Sequence, residues 1–381
     1  MLLIQPEIYY EANPGDKLKS KSTLVITTYV PDIDSKYIYT YDYAPEQIWL
    51  KESGKLTLQG DYEFTAKTYF RTEKEVEFVR GIFGLQPQKW LVDEALRVTD
   101  EVNRVREDGD YTFVLMTDSH YNVGGTWNDT VAGVKVVCDM ISLDGIIHLG
   151  DFTDGMVSKA ATTYYAEKVM ADLRSIAPVY AAIGNHDTNY FRNNPERLSI
   201  TEQCKVYLDG NDLRYYIDKL GVRLIFLDSF DPDEALRYGY SDEGAAWLDD
   251  VLSTADKAVI FSHLPPTTRL QFWAEEIRDK AVKSVVAQHA DKILAWINGH
   301  NHIDSIDNEE GIPSISINNA KCEAFSKMKP DWGATPPRKL NDASQECWDV
   351  LLLNPQKGKL HFIRFGAGND RIIENGKANW R

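Results

Sequence analysis

Cysteine is scarce in this 381-residue chain: Cys138, Cys204, Cys322 and Cys347 are the only four, and they stand far apart. No CxxC pair occurs, so neither a thiolate zinc site nor a dense disulfide framework is expected, and reduced thiols in a cytosol-like compartment are the default. Long apolar runs are missing as well. None approaches the roughly 18 residues that a membrane span needs, so no membrane association is expected. The opening Met1-Leu2-Leu3-Ile4 runs straight into Gln5-Pro6 with no basic flank. That is too short for a secretory signal, and a cytoplasmic protein is the expectation. Basic charge is in deficit: 42 lysines and arginines against 58 acidic residues leave −16 at pH 7. Such a surface repels phosphate backbones and disfavours long nucleic acid as a partner, unless a local cationic site overrides it. Repeats and low-complexity tracts are also lacking. What is present is a hydrophobic fraction of 43%, enough for a sizeable core, in a length that suits two domains or one large domain with an extension.

The first stretch of the chain has strand character. Ser22 to Val30 is rich in β-branched residues, and Tyr37, Tyr39, Tyr41 and Tyr43 alternate as they would on one face of a strand. Leu56 to Phe70 continues the pattern between the turn signals Gly54 and Gly60-Asp61. Residues 1–85 therefore read as a small β-rich module. Leu91, Ala95, Val98, Val102 and Val105 then recur at three- and four-residue steps, so 86–110 reads as a linking helix. From 111 to 381 apolar runs alternate with helical patterns. Strands are expected at 111–117, 145–150, 178–183, 215–217, 222–227, 258–261, 315–317, 350–353 and 359–364. Helices are expected at 129–141, 160–176, 241–254 and 279–295. This alternation predicts an α/β fold with helices covering sheet faces.

The chemistry-bearing residues follow those strands. Asp118-Ser119-His120 comes after the first, Gly150-Asp151-Phe152-Thr153-Asp154 after the second, and Gly184-Asn185-His186-Asp187 after the third. Ser262-His263 follows 258–261, and Gly299-His300-Asn301-His302 follows the apolar run 295–297. In α/β folds such strand ends gather into one crevice. Imidazole, carboxylate and amide oxygens suit a first-row divalent ion. Seven candidate ligands, Asp118, His120, Asp151, Asn185, His263, His300 and His302, are too many for one ion and suit two that share a bridging carboxylate. A pair of ions can clamp the attacking and leaving oxygens of a phosphoryl displacement. Two such ions would outweigh the two carboxylates locally and attract an anionic phosphate despite the acidic chain.

These elements, DxH, GDxxD, GNHD, a lone His and GHxH in that order, resemble the calcineurin-like metallophosphoesterases over roughly residues 111–365. The resemblance implies a two-sheet β-sandwich flanked by helices rather than one doubly wound sheet. It further implies that Asp118, His120, Asp151 and His302 hold one ion and that Asp151, Asn185, His263 and His300 hold the other. A metal-bridging hydroxide would be the nucleophile. His186 would serve as acid toward the leaving oxygen, oriented by Asp154, because a carboxylate beside an imidazole favours its proton-donating form. Manganese or iron suits this nitrogen and oxygen set, with zinc the alternative. Protein serine/threonine phosphatases of the family follow GDxxD with Arg-Gly. Here Gly155-Met156 stands instead, which disfavours a phosphoprotein substrate. The ferric-iron tyrosine of purple acid phosphatases is also missing from Asp151–Asp154. The pattern is similar to the bacterial and phage-type phosphodiesterase branch.

Other residues invite weaker readings. Asn301, between two ligands, together with Tyr190 and Arg192 after the third motif, are substrate-contact candidates, with 189–212 as a lid or wall. Asp187 suits a supporting role or a helix cap. His148, His289 and His361 read as structural. Two alternatives to a free-standing phosphodiesterase are open: a metal-bound scaffold without activity, and a hydrolase docked onto a larger assembly or cell-wall polymer through its N-terminal module.

Overall fold

Strand Tyr111–Met116 shows how the sequence builds the core of this protein, whose computed structural model describes residues 2–6, 8–31, 50–81, 87–219, 221–273, 276–309, 311–323 and 330–381. Phe113 and Leu115 point to one face of the strand, Val114 and Met116 to the other, and all four are fully buried. The first pair packs with Phe226, Phe261, Ile297 and Leu351. The second packs with Val98, Val134 and Val169 from helices. A strand covered on both faces needs no polar alternation, which is why its sequence is one unbroken apolar run.

Repeated across the chain, this pattern makes a sandwich. Among the described residues one sheet has seven strands, in the order Val179–Ala181, Gly145–His148, Tyr111–Met116, Cys347–Asn354, Lys359–Gly366, Arg371–Glu374 and Lys377–Trp380. Its first three strands run parallel and the rest antiparallel. The other sheet has six: Tyr215–Lys219, Val222–Leu227, Ala258–Ser262, Ile293–Asn298, Ser314–Ser316 and Ser305–Asp307. Helices α1 (Lys89–Val105), α2 (Trp127–Met140) and α3 (Lys159–Arg174) cover the first sheet. The short α4 (Ile200–Tyr207) lies beside α3. Helices α5 (Asp242–Ser253) and α6 (Lys280–Gln288) cover the second sheet, packing Leu248, Leu252, Val282 and Val286 on Ile225, Ile260 and Trp296. The two-sheet sandwich flanked by helices is thus the observed architecture.

Among the described residues the N-terminal region adds two four-stranded sheets. Phe64 packs against Phe70 and Phe78 at ring separations of 4.9 and 6.5 Å. Tyr10 meets Tyr164 of α3 edge-on at 4.8 Å, and the Tyr9 amide donates to the Tyr165 hydroxyl at 3.2 Å. The tyrosine row 37–43 lies outside the described residues. No described helix is long and apolar enough to cross a membrane.

Two expectations need correction. The helix expected over 279–295 stops at Gln288, and Ile293–Asn298 is a strand between two others. Its continuous apolar run has no period that separates buried strand from buried helix. The hairpin Arg371–Glu374 and Lys377–Trp380 was not anticipated, although Asn375-Gly376 carries the turn signal for it. Both residues sit at positive φ, 51° and 71°.

Candidate metal centre

All five motifs lie at the same edge of the sandwich because the strands that precede them are parallel neighbours in their sheets. The backbone turns sharply at three of them, the first, second and fifth. Asp118, His120, Asp151, His300 and His302 have φ of 50°, 39°, 56°, 67° and 54°, a left-handed conformation costing about 1 kcal/mol or more per non-glycine residue. Hydrogen bonds hold it: Asp118 N donates to Gly150 O at 2.9 Å, His120 N to Asp151 O at 3.0 Å, and His300 N to the Asp118 carboxylate at 2.9 Å. The glycines let these loops close on each other. A Cβ at Gly184 would overlap the Asp151 carboxylate and amide, and one at Gly299 would overlap the Thr117 hydroxyl.

The side chains converge as two trios. Asp118, His120 and His302 form one, and Asp151, His263 and His300 the other; a third group, His120, Asp151 and His186, overlaps both and brings the His186 ring to the centre. His302 Nε2 is 3.1 Å from both Asp118 Oδ1 and His120 Nε2. His263 Nε2 is 3.1 Å from Asp151 Oδ2, Asn185 Oδ1 and His300 Nδ1. Asp151 Oδ2 also lies 3.7 Å from His120 Nε2 and so stands between the trios. His263 Nδ1 is 2.8 Å from the Leu149 carbonyl and donates to it. Its Nε2 therefore faces a carboxylate oxygen and an amide oxygen, an arrangement stabilised by positive charge, either a proton on Nε2 or a cation among the atoms. Separations near 3.1 Å also match adjacent ligands on an ion with bonds of about 2.1 Å. The donor set fits divalent cations.

Electrostatics agree. Burial opposes charge on His263 and His302, but Asp151 and Asp118 beside the one, and Asp118 and Glu323 beside the other, outweigh it and raise them to about 9 and about 10. Burial and the neighbouring His263 depress His300 to about 3. The carboxylates demand positive charge at this centre.

Supports stand behind the ligand candidates. Glu323 Oε1 is 2.8 Å from His302 Nδ1. A carboxylate in that position fixes the ring so that Nε2 faces inward. Asp187 accepts N–H bonds from Asp151, Phe152 and Gly184, each at 2.8 Å, and ties the second and third motifs together.

His186 lies at the rim. Its Nε2 is 3.9 Å from Asp151 Oδ2, and Phe191 stacks on the ring at 4.2 Å. The expected orientation by the Asp154 carboxylate is corrected: the Asp154 main-chain carbonyl, 2.6 Å away, holds His186 Nδ1. The carboxylate is drawn instead to Lys321 Nζ at 3.1 Å and Asn122 Nδ2 at 3.2 Å, and lies 3.6 Å from His120 Nδ1.

The substrate candidates fare differently. Asn301 is fully buried, donating to Leu270 O at 2.8 Å and accepting from Phe272 N at 3.1 Å, so its amide is occupied with the backbone and does not face a substrate. Tyr190 is half-buried with its ring between the guanidiniums of Arg197 and Arg237, at 4.8 and 4.7 Å. Arg192 is exposed at φ 56°. The expected lid is shorter than 189–212: Asn189 is buried and bonded to Thr162, Val157 and Glu196, and from Ser199 onward the chain is the capped helix α4. His148 stacks on Phe152, and His289 pairs with Asp249 at 2.6 Å. Glu323 and Lys321 were not foreseen. They lie in a loop with no motif spacing, and only their charge, unusual after an apolar strand, marked them.

The model of the calcineurin-like phosphoesterase family matches residues 111–304, just over half of the chain. A dimetal phosphatase from Danio rerio aligns with TM-score 0.54 and 18% identity over 70% of this chain and 99% of its own, a likeness that speaks for the fold. A phosphopantetheinyl hydrolase from Mycobacterium tuberculosis aligns with TM-score 0.38 and 15% identity over 62% of this chain and 98% of its own. No curated protein matches the chain.

Proposed function

Because the chain belongs to the calcineurin-like phosphoesterase family, we propose that this metal-dependent phosphoesterase cleaves phosphodiesters at a dinuclear centre bridged by Asp151. One cation would be held by Asp118, His120, Asp151 and His302, the other by Asp151, Asn185, His263 and His300. The observation that carries the reading is the position of Asp151 Oδ2, within 3.1 Å of His263 and 3.7 Å of His120. When bound, the cations activate the attacking water and offset the charge that builds on phosphorus during in-line displacement. Manganese or iron suits the donor set, with zinc the alternative.

The chain's own groups complete the reaction. Asp154 O accepts from Nδ1–H of His186 and leaves Nε2 directed to the centre; burial lowers the ring's pKa, so Nε2 first takes a proton from solvent and, in the imidazolium form, gives it to the departing alkoxide. Phe191 covers the ring and limits its rotation. A diester is favoured over a monoester by charge. A monoester dianion calls for a cationic grip of its own, whereas Lys321 at this centre is tied to Asp154 and Glu323.

Hydrolysis of bis-p-nitrophenyl phosphate and of p-nitrophenyl phosphate by the Mn²⁺-loaded protein tests this. The diester should be cleaved faster. Asp151→Asn should abolish turnover together with metal binding. His186→Ala should lower kcat by about 10²–10⁴ with both ions retained. Wild-type rates in either variant would refute the assignment.

A further inference from the structure

We propose that Lys321 is a positioning residue that keeps the dinuclear centre receptive to anions by holding Asp154 and Glu323 outside the coordination shell, a role that rests on the phosphoesterase reading above. Lys321 is only 8% exposed. Its main chain is fastened to the first motif, with Ala320 N donating to Thr117 O at 2.9 Å and Lys321 N to Asp118 O at 3.3 Å. The ammonium lies 3.1 Å from Asp154 Oδ1 and 3.9 Å from Glu323 Oε2. Those carboxylates stand directly behind two imidazoles of one trio, Asp154 at 3.6 Å from His120 Nδ1 and Glu323 at 2.8 Å from His302 Nδ1. One cation therefore spans the supports of both rings.

The charge balance gives this arrangement its consequence. Asp118, Asp151, Asp154 and Glu323 together cancel two divalent cations, and a bridging hydroxide would leave the shell one charge negative. Asp187 is engaged by three main-chain N–H groups. Lys321 offsets that negative charge, so that the centre does not repel an anionic ester in a protein of net charge −16. Without it the same shell carries a net negative charge. Asp154 then keeps only the Asn122 amide and Glu323 only His302, and with less charge to hold them back the two carboxylates can turn toward the cations and compete with substrate oxygen. Buried charges without a countercharge do not stay in place.

The test compares wild type, Lys321→Met and Lys321→Arg as Mn²⁺-loaded holoproteins. Three quantities are read: manganese content, the Kd for inorganic phosphate by calorimetry, and KM and kcat for bis-p-nitrophenyl phosphate. K321M should keep two ions, bind phosphate about tenfold more weakly or worse, and raise KM by a similar factor with a smaller change in kcat. K321R, which retains the charge, should recover most of the phosphate affinity. Should K321M fail to fold, K321Q supplies the second neutral variant. Unchanged phosphate affinity and KM in a folded neutral variant overturn the proposal, as does loss of one ion, which would make Lys321 a support for the ligands only. A wild type that binds two ions yet hydrolyses no phosphoester refutes the activity, while the phosphate comparison still decides the role of Lys321.

Discussion

Replacing Glu323 by Gln separates the charge behind His302 from the shape of its partner. Glu323 is 4% exposed, with Oε1 2.8 Å from His302 Nδ1. Burial opposes its ionisation, but Lys321 and His302 outweigh that and hold its pKa below the ordinary carboxylate value. A glutamine oxygen can still accept the Nδ1–H bond, so ring orientation survives while the negative charge that strengthens Nε2 as a ligand is lost. Partners of this kind are worth about 10–100-fold in metal affinity, which is about 1.4–2.7 kcal/mol. The loss should fall on one ion alone. His302 belongs to the Asp118 and His120 trio, whereas His263 is braced separately by Leu149 O. Titration of metal-stripped protein with Mn²⁺ against a chromophoric chelator should show one binding step unchanged and the other weakened by that factor. Excess Mn²⁺ should restore turnover. Two unaffected steps, or two steps shifted equally, would refute the reasoning.

Further outcomes follow from the same structure. Asp349→Ala removes the buried carboxylate that bonds Arg364 Nε at 3.0 Å and an Arg371 guanidinium nitrogen at 2.6 Å. Breaking such a buried pair costs about 3–5 kcal/mol, and urea denaturation showing a loss below about 1 kcal/mol would contradict it. Gly184→Ala would push its Cβ into Asp151; the variant should fold but bind fewer than two ions in metal analysis, and full occupancy would exclude the packing argument. Glu346 is fully buried, and burial pushes it up from 4.5 to about 7 against bonds from Thr130 and Gln345. A carboxyl raised in the folded state contributes stability below its unfolded value, and that stability is lost as pH climbs through about 7. Glu346→Gln should therefore remove up to about 3 kcal/mol of the stability difference between pH 5 and pH 8. Thermal melts with the same pH dependence in both proteins would dismiss this.

The candidate centre was legible because metal chemistry restricts residue type and because parallel strands deliver their carboxyl ends to one edge. Asp118, His120, Asp151, Asn185, His263, His300 and His302 could be picked out from strand-end position and functional group alone, and the structure brings them into adjacent groups, with His302 3.1 Å from Asp118 and His120, and His263 3.1 Å from Asp151, Asn185 and His300. The fold was less evenly readable. Strands buried on both faces lack alternation, so a helical reading to 295 runs across Ile293–Asn298, whereas Asn375-Gly376 marks its hairpin turn locally.

Which donor atoms would meet at the strand ends was determined by sequence alone, since a ligand needs a lone pair and a sharp turn to present it, and both are written locally. What stands behind those donors was decided only by the tertiary structure. Asp154 and Lys321 are 167 residues apart in the chain, and no local pattern couples them. Their contact exists because two sheets pack face to face and bring the loop after Ser314–Ser316 beneath the loop after Gly145–His148. Competition among neighbours in that space assigned the Asp154 carboxylate to Lys321 and left its main-chain carbonyl to His186.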